Sequence, residues 1–297
     1  MLMFVIFGAV LLLMLLGVST AVTMGFASIA TFLFAGGDPA RLFLVPQRMF
    51  AQVSGITLMS IPFFLLMGNL MTVGGVSKSL FGFGRVCLGH RWGGLSNAAI
   101  VACVVMAAMS GSAAACAAGI GMIAINEMTK SGYGRPFSCA TIAAGGALGP
   151  IIPPSVPMVI AGSCVSISVG KMFQAGIIPG VLLGLALCVP TYIISVKRHY
   201  PKHERSSWKK RLEVTKDAIW ALLMPVILLG GILSGIFTPT EASIVTCVYS
   251  LIVGVFVYKE IKLSDVPRIV YTNMRSCSSI IILIGLANVF AFILTNE

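Results

Sequence analysis

Two short segments rich in glycine, serine and proline carry the residue types that can bind a small cation. Ser110–Gly121 reads SGSAAACAAGIG, and Gly145–Pro157 reads GGALGPIIPPSVP. Serine hydroxyls and the backbone carbonyls freed where a helix ends are hard oxygen ligands, which suit an ion such as sodium. The two segments therefore predict a cation site built from hydroxyl and carbonyl oxygens.

Each segment also has a purely structural interpretation. Small residues at the density of Ser110–Gly121 let two helices pack closely, and that interpretation stays open for this segment. In Gly145–Pro157 the alternative is a simple proline kink. However, three prolines and three glycines fall between Gly145 and Pro154. Proline removes a backbone donor and clashes with the preceding turn, so this density predicts a broken helix.

The sequence lacks the residue patterns of a membrane enzyme. It contains no HExxH, GxSxG or P-loop motif, and no paired carboxylates within an apolar run. All three histidines lie in connectors, so the serines of Ser110–Ser112 have no base. The eight cysteines are scattered without metal spacing and are interpreted as packing residues. We therefore predict that the protein is not an enzyme and uses no cofactor.

Membrane helices must position these segments, because 58% of the residues are hydrophobic and only 10% are charged. A soluble domain carries about 25% charged residues. The sequence thus predicts an all-α, polytopic membrane protein. Apolar runs near the spanning length of about 20 residues lie at 2–35, 52–73, 94–129, 136–165, 172–196, 217–236, 239–258 and 269–295. Gly17, Ser19 and Thr20 mark either a bend or a helix junction in the first run.

The basic residues predict the topology. If 94–129 enters the membrane and returns to the same side, seventeen of the twenty Lys and Arg residues share one face, leaving Arg41, Arg48 and Lys171 opposite. Such a bias marks the cytoplasmic face, which explains the net charge of +11 without a nucleic-acid partner. A re-entrant hairpin and two full spans would both return the chain to the same side of the membrane, so the charge distribution does not distinguish them. The short uncharged turn at Met109–Ser112 favours the hairpin.

Few ionisable residues lie in the apolar runs, which argues against a proton carrier. Glu127 is expected to form an interfacial pair with Lys130, and Glu241 to cap a helix that starts at Pro239. His90 is expected to be solvated. The predicted segments are 1–93, N-terminal helices with an interfacial arm at Gly75–Trp92; 94–196, half of a transport core with a re-entrant hairpin (94–129) and a broken helix (136–165); 197–216, a basic cytoplasmic loop; and 217–297, further membrane helices.

An ordered set of residues along nearly the whole chain resembles the large permease subunit (DctM type) of TRAP transporters, the tripartite ATP-independent periplasmic transporters. The most specific part is SGS at Ser110–Ser112 followed by GxLGPIIPPSxP. The other matching residues are Gln47–Phe50, Ile61–Phe64, Gly68, Gly74-Gly75, Gly89-His90, Gly93-Gly94, Glu127-Met128, Gly132-Tyr133, Gly176–Gly180 and Gly235–Ala242.

The resemblance implies sodium-coupled import of an organic acid, such as a C4-dicarboxylate or a sialic acid, across the bacterial inner membrane. The implied partners are a small four-helix permease subunit and a periplasmic substrate-binding protein. The implied fold is the first half of an inverted-repeat transporter of the elevator type. By match to the family motif, sodium would lie near Ser110, Ser112, Ala113, Gly145, Leu148 and Pro150, and the substrate near Ser110, Gly111, Pro153, Pro154 and Ser155.

The family is longer than this chain, which stops within an apolar run at Asn296-Glu297. A truncated or split reading frame is therefore expected. Two alternatives stay open at this stage. One is a sodium- or proton-coupled anion transporter that works without a binding protein, and the other is a truncated subunit that binds a partner but does not transport.

Overall fold

The computed structural model describes residues 2–34, 42–202, 204–205 and 207–296, and these contain helices but no strand. Single turns of 3-10 helix (Ile56–Met59 and Leu263–Asp265) and of π-helix (Val253–Val257) adjoin the α-helices. The α-helices are α1 Leu2–Leu15, α2 Thr20–Phe34, α3 Leu44–Val53, α4 Ser60–Val73, α5 Val76–Leu88, α6 Gly94–Ser110, α7 Ala113–Lys130, α8 Arg135–Gly146, α9 Val156–Cys164, α10 Val169–Lys197, α11 Trp208–Leu233, α12 Pro239–Ile252 and α13 Val266–Asn296.

Length and hydropathy confirm the predicted class of an all-α polytopic membrane protein. Five segments of the described chain are long and apolar enough to cross a bilayer: Ile56–Val73, Val169–Lys197, Trp208–Leu233, Pro239–Val257 and Leu263–Thr295. The helices of the predicted hairpin, α6 and α7, are not among them. With 17 residues, α6 is shorter than each of the five segments. With 18 residues, α7 equals the shortest of them, but its last turn carries Glu127 and Lys130, which lower its hydropathy.

The chain forms two compact units. One comprises the described parts of Met1–Leu58 and Met274–Glu297, and the other is Met59–Asn273. In the first unit, α1, α2 and α3 pack against the later turns of α13. Phe7 and Phe290 form an edge-to-face ring pair at 6.2 Å between centroids, and the Arg48 guanidinium lies 4.2 Å from the centre of the Phe292 ring. These two units do not coincide with the four segments predicted from the sequence, because the contacts within each unit join residues far apart in the chain.

The second unit is organised around α6, which is buried along most of its length. It packs against α5, α7, α8 and α10. Small residues permit the closest of these contacts. A Cβ atom on Gly84 of α5, for example, would lie 3.0 Å from the Ala98 carbonyl oxygen of α6. The core of the unit thus holds the helix that leads into the first candidate segment.

Three local expectations are settled by the helix boundaries. The first apolar run is a junction of two helices and not a bend, with Gly17 at φ +80° between α1 and α2. The expected basic loop at 197–216 is shorter than predicted, because α10 includes Lys197 and α11 already begins at Trp208. The Arg211 guanidinium lies 5.6 Å from the Trp208 ring centre in this added helical stretch. Residues 203 and 206 of the predicted loop lie outside the described residues, as do Arg41 and Glu297.

The interfacial arm expected at Gly75–Trp92 is a packed helix. Its central part, α5, contacts α6, α7 and α11, and Leu80 and Phe81 are each only 2% exposed. The expectation of a solvated His90 is wrong, because this residue is half-buried and its Nδ1 atom is enclosed without a hydrogen-bond partner. A basic and aromatic pattern is typical of a surface helix, but the glycines of this segment let neighbouring helices cover it.

Candidate cation and anion site at the hairpin tip and helix break

The hairpin tip is the two-residue turn between α6 and α7. Gly111 has φ +60°, a left-handed conformation that favours glycine, and it ends α6. Ser112 then begins α7 as its N-cap, with its Oγ accepting a hydrogen bond from the Ala115 N–H at 3.4 Å. Ser110, 1% exposed, closes α6 from the other side. The turn predicted at Met109–Ser112 is therefore confirmed.

The helix break separates α8 from α9 and spans residues 147–155. Ser155, which is fully buried, is the N-cap of α9. Its Oγ accepts from the Met158 N–H at 3.3 Å and donates to the Pro150 carbonyl oxygen at 2.5 Å. Pro153 and Pro154 are buried between these two residues. The predicted broken helix at 136–165 is confirmed, with the interruption where the prolines concentrate.

The tip and the break touch through backbone atoms. A Cβ atom on Gly149 would lie 2.6 Å from the Ser112 carbonyl carbon and 2.7 Å from the Ala113 nitrogen. A Cβ atom on Gly111 would collide with the Pro154 carbonyl oxygen. Real Cβ atoms do not approach so closely, so only glycine fits at either position. The structure thus brings together the two segments that sequence analysis singled out separately.

A stripe of small residues on α7 holds this arrangement in register. A Cβ atom on Gly146 would lie 2.8 Å from the Cβ of Ala117 and 3.2 Å from the Ala113 carbonyl oxygen. One turn further along α7, Gly121 faces the Ile142 side chain of α8. The structural interpretation of Ser110–Gly121 therefore also holds: its small residues pack α7 on the helix that breaks.

Sequence reasoning assigned no role to two groups of glycines that support the site. On α4, a Cβ atom on Gly68 would lie 2.9 Å from the Cβ of Ser110. On α10, Gly176 and Gly180 lie one turn apart and face the helix break, at Ile151 and Ile152 respectively. The four-residue spacing of these α10 glycines was a readable signal of close helix packing.

The carbonyl oxygens of the break differ in how many hydrogen bonds they already accept. Leu148 O accepts from the N–H groups of Ile151 at 3.0 Å and of Ile152 at 2.9 Å. Gly145 O accepts from the Leu148 N–H at 3.2 Å, and Pro150 O accepts from the Ser155 hydroxyl. A carbonyl oxygen has two lone pairs. Pro150 O thus retains an acceptor direction, whereas both directions of Leu148 O are used, and Gly145 O also accepts from the Ala147 N–H at the end of α8.

The helix ends give the site a mixed electrostatic character. Each loop joins the C-terminal end of one helix (α6 or α8) to the N-terminal end of another (α7 or α9). A helix C-terminus carries partial negative charge and a helix N-terminus partial positive charge. In a site with few charged groups, these ends favour a cation near Ser110 and Gly146 and an anion near Ser112 and Ser155.

The acidic residues of the apolar runs are engaged elsewhere. Glu127 pairs with Arg85 of α5, Oε2 to Nη1 at 2.8 Å, and not with the expected Lys130. Glu241 completes a capping box at the start of α12, where its Oε2 accepts from the Thr238 N–H at 2.8 Å, as predicted. Among the residues described, no three His, Cys, Asp or Glu side chains gather as a metal-binding group. The ligands that this site offers are therefore carbonyl and hydroxyl oxygens.

Comparison with known proteins identifies the family. The family model described as "Tripartite ATP-independent periplasmic transporter, DctM component" matches residues 7–297. The chain is 42% identical, over 93% of its length, to the C4-dicarboxylate TRAP transporter large permease protein DctM of Pseudomonas aeruginosa. It is 39% identical over 99% of its length to the isethionate TRAP transporter permease protein DctMQ of Oleidesulfovibrio alaskensis, and 37% identical over 84% to the sialic acid TRAP transporter large permease protein SiaM of Vibrio cholerae.

The chain spans only part of these relatives. The matches cover 64% of the Pseudomonas protein, 46% of the Oleidesulfovibrio protein and 59% of the Vibrio protein. The family match nevertheless extends over almost the whole chain, including the hairpin tip and the helix break. The chain belongs to the DctM component family of TRAP transporters, whose members are transport proteins and not enzymes, and it is accordingly a multi-pass protein of the bacterial inner membrane.

Proposed function

We propose that the chain is the cation- and substrate-binding half of a TRAP permease that imports an organic acid together with sodium. The observation that carries this proposal is the backbone contact of Gly149 with Ser112 and Ala113, which joins two interrupted helices in one buried place. An interrupted backbone at membrane depth is tolerated where it is enclosed by protein or lines a polar cavity. Such pairs of broken helices are typical of secondary transporters.

Sodium is the proposed coupling ion because the site offers oxygen ligands without a carboxylate. The hydroxyl of Ser110 and the carbonyl oxygens of Gly145 and Pro150 supply donors of the right kind, together with the backbone of Ser112 and Ala113. Three of the proposed ligands are weaker because they already accept two hydrogen bonds each: Gly145 O, Leu148 O and Ser112 O. A proton-coupled mechanism would need a titratable group here. The acidic residues Glu127 and Glu241 are engaged in an ion pair and a helix cap.

The proposed substrate is an organic anion of the kind for which the relatives are named. Among these, a C4-dicarboxylate is the first candidate. The partial positive charge at the N-termini of α7 and α9 would attract a carboxylate near Gly111, Pro153, Pro154 and Ser155. A sodium ion bound close by would add to this attraction. Cation and anion binding would therefore support each other, which is the physical basis of coupled transport.

The proposed mechanism and partners follow from the family. The short helices α6 and α7 would form a re-entrant hairpin, and the whole protein would contain a second, inverted copy of the hairpin and helix break. This transport core would carry its cargo past a fixed scaffold. The proposed partners are a small four-helix permease subunit and a periplasmic substrate-binding protein. One relative bears the name DctMQ as a single permease protein, which supports a close association of two membrane components.

Replacement of Ser110 by Ala in the full-length permease tests the sodium site. We expect uptake of a C4-dicarboxylate into proteoliposomes, with both partner proteins present, to require at least about tenfold more sodium, equivalent to ~1.4 kcal/mol. The reason is that one hydroxyl ligand is lost at a buried position. The matched control is Ser163→Ala on α9, whose hydroxyl donates to the Ile160 carbonyl oxygen within its own helix. Unchanged sodium dependence of the Ser110 variant would contradict the assignment.

A further inference from the structure

A cavity of about 500 Å³ lies apart from the hairpin tip and the helix break. It is enclosed by α5, the first turns of α11 and the segment that follows the π-helical turn Val253–Val257. Four basic side chains line it against two acidic ones. The basic residues are Lys78, Arg85, Lys210 and Lys216, and the acidic residues are Asp217 and Glu260. The function proposed above uses none of them.

The four basic and two acidic side chains leave the cavity with a net positive charge, to which the three lysines contribute most. Arg85 is paired with Glu127 at 2.8 Å, so much of its charge is balanced. Lys78, Lys210 and Lys216 have no ion-pair partner within the described part of the chain. They come from two segments more than a hundred residues apart in the sequence, which the fold brings to a single cavity.

The rest of the cavity wall is apolar and aromatic. Val86, Val214, Trp220 and Val257 contribute to it, and Trp220 and Val257 are 43% and 37% exposed. The Tyr258 ring is fixed in the wall because its hydroxyl donates to the Asp217 carbonyl oxygen at 2.6 Å. Tryptophan and tyrosine beside lysines are typical of the boundary between the lipid headgroups and the hydrocarbon.

The combination of basic and apolar residues in this wall favours one class of anion over another. A small inorganic anion gains nothing from an apolar surface, whereas a phospholipid carries a phosphate next to acyl chains. The cavity also combines residues of three of the basic segments, 78–91, 197–216 and 259–275, that the charge bias assigns to the cytoplasmic face. Basic pockets between membrane helices on this side bind anionic lipid headgroups.

We infer that this cavity binds an anionic phospholipid, of which phosphatidylglycerol is the probe of choice. Lys78, Lys210 and Lys216 contact the headgroup phosphate, and Trp220 and Val257 contact the upper part of an acyl chain. The bound lipid fills the space between α5 and α11, and so joins these two helices. This inference does not depend on the cation site, because the two sites share no residue.

Quenching of Trp220 fluorescence by brominated lipids measures the binding directly. The chain has three tryptophans, so Trp92→Phe and Trp208→Phe leave Trp220 as the reporter. In neutral detergent micelles we expect brominated phosphatidylglycerol to quench Trp220 at least about tenfold more effectively than brominated phosphatidylcholine. Lysines near a membrane surface contribute roughly fivefold each to the affinity for anionic lipid. The variant Lys78→Gln/Lys210→Gln/Lys216→Gln should therefore bind phosphatidylglycerol about a hundredfold more weakly.

A matched triple variant separates the cavity from general attraction by charge. Lys130→Gln/Lys209→Gln/Lys262→Gln removes the same charge from residues that do not line the cavity. A second pair of variants tests the cavity without changing charge. Gly82 lines it, and a Cβ atom there would have nothing within 4 Å, so Gly82→Leu is expected to place its side chain in the cavity. Gly230, also in a helix with open space around it, provides the control Gly230→Leu.

The inference is supported if phosphatidylglycerol quenching is lost in the cavity triple variant and in Gly82→Leu but kept in both controls. Equal losses in the two triple variants would overturn it in favour of unspecific attraction. Equal quenching by the two lipids would also overturn it. If millimolar inorganic phosphate abolished the quenching, the site would bind free phosphate and not a lipid. Should the cavity triple variant fail to fold, Gly82→Leu decides the question alone.

Discussion

The hairpin tip and the helix break each end one helix and begin another inside the protein, and they begin the second helix in the same way. Ser112 and Ser155 are both N-caps with nearly the same backbone angles, φ −130° and ψ 125° against φ −126° and ψ 123°. Both side chains accept a hydrogen bond from the N–H three residues later. The capping serine is thus a shared local solution.

The two regions differ in what stabilises the interruption. The tip reverses the chain within two residues by the left-handed Gly111, and Ser112 is only half-buried. The break comprises nine residues and is rich in proline. Within it, the buried hydroxyl of Ser155 donates a hydrogen bond to the Pro150 carbonyl oxygen. The break and the end of α8 also accept hydrogen bonds from the N–H groups of residues 147–149, 151 and 152. The tip depends on its neighbour, because the Gly149 backbone lies against it.

This difference suggests a division of labour between the two regions. The break is a preorganised surface whose oxygens are oriented by internal hydrogen bonds. The tip contributes the Ser110 hydroxyl, whose one hydrogen bond, to Ser112 O, is long at 3.5 Å. Because this hydroxyl would lose only a weak hydrogen bond, its oxygen is available to coordinate a cation. Three substitutions test this comparison, and we describe them in order of decreasing effect.

Gly149→Leu should break the contact between the two regions. Its Cβ would meet backbone atoms of Ser112 and Ala113, which cannot move aside as a flexible side chain can. We expect a loss of roughly 3 kcal/mol in stability and no sodium-dependent uptake by the full-length permease. Thermal unfolding in detergent and transport assays measure the two effects. Gly230→Leu serves as the control, and equal behaviour of the two variants would contradict the importance of this contact.

Ser155→Ala should weaken the break from within. It removes the cap of α9 and leaves the Pro150 carbonyl oxygen without its hydrogen-bond donor at a largely enclosed position. The expected loss is about 2 kcal/mol, the sum of a helix cap and part of an unsatisfied buried carbonyl. The thermal unfolding midpoint of the purified chain measures it. A midpoint like that of the wild type would show that the internal hydrogen bonds do not stabilise the break.

Ser112→Ala removes the same type of cap from the hairpin tip and should have the smallest effect. The Ser112 side chain is half-buried and makes one long capping bond of 3.4 Å. We expect a loss of about 0.5–1 kcal/mol, measured by the same unfolding assay. If Ser112→Ala lowered the midpoint as much as Ser155→Ala, the two caps would be energetically equivalent, and the proposed difference between the regions would be wrong.

The sequence predicted the interruptions well because they arise from local backbone chemistry. Prolines and glycines in Gly145–Pro157 exclude a continuous helix whatever surrounds them, and the uncharged turn at Met109–Ser112 predicted the tip. Glu241 was also placed correctly, since its capping box involves residues within one turn. Each of these features depends on neighbours in the chain.

Predictions that concerned distant partners were less successful. Glu127 was expected to pair with Lys130, three residues away, but its partner Arg85 is 42 residues away. The position of Gly75–Trp92 at the membrane interface stays a prediction, but the sequence did not indicate that α6 and α11 pack against its helix α5. The loop at 197–216 was drawn too long because charge alone does not end a helix.

The sequence by itself determined that this is an all-helical membrane protein with two interrupted helices, since hydrophobicity and backbone preference are properties of short segments. Only the tertiary structure decided that the interruptions meet, that Gly149 rests on Ser112, and that Leu148 O is already saturated while the Ser110 hydroxyl is only weakly engaged. It also brought three lysines and a tryptophan to one cavity between α5 and α11. The physical reason is that these contacts join residues far apart in the chain. Helix packing sets their distances, and a local pattern such as the spacing of the α10 glycines indicates close packing without identifying the partner.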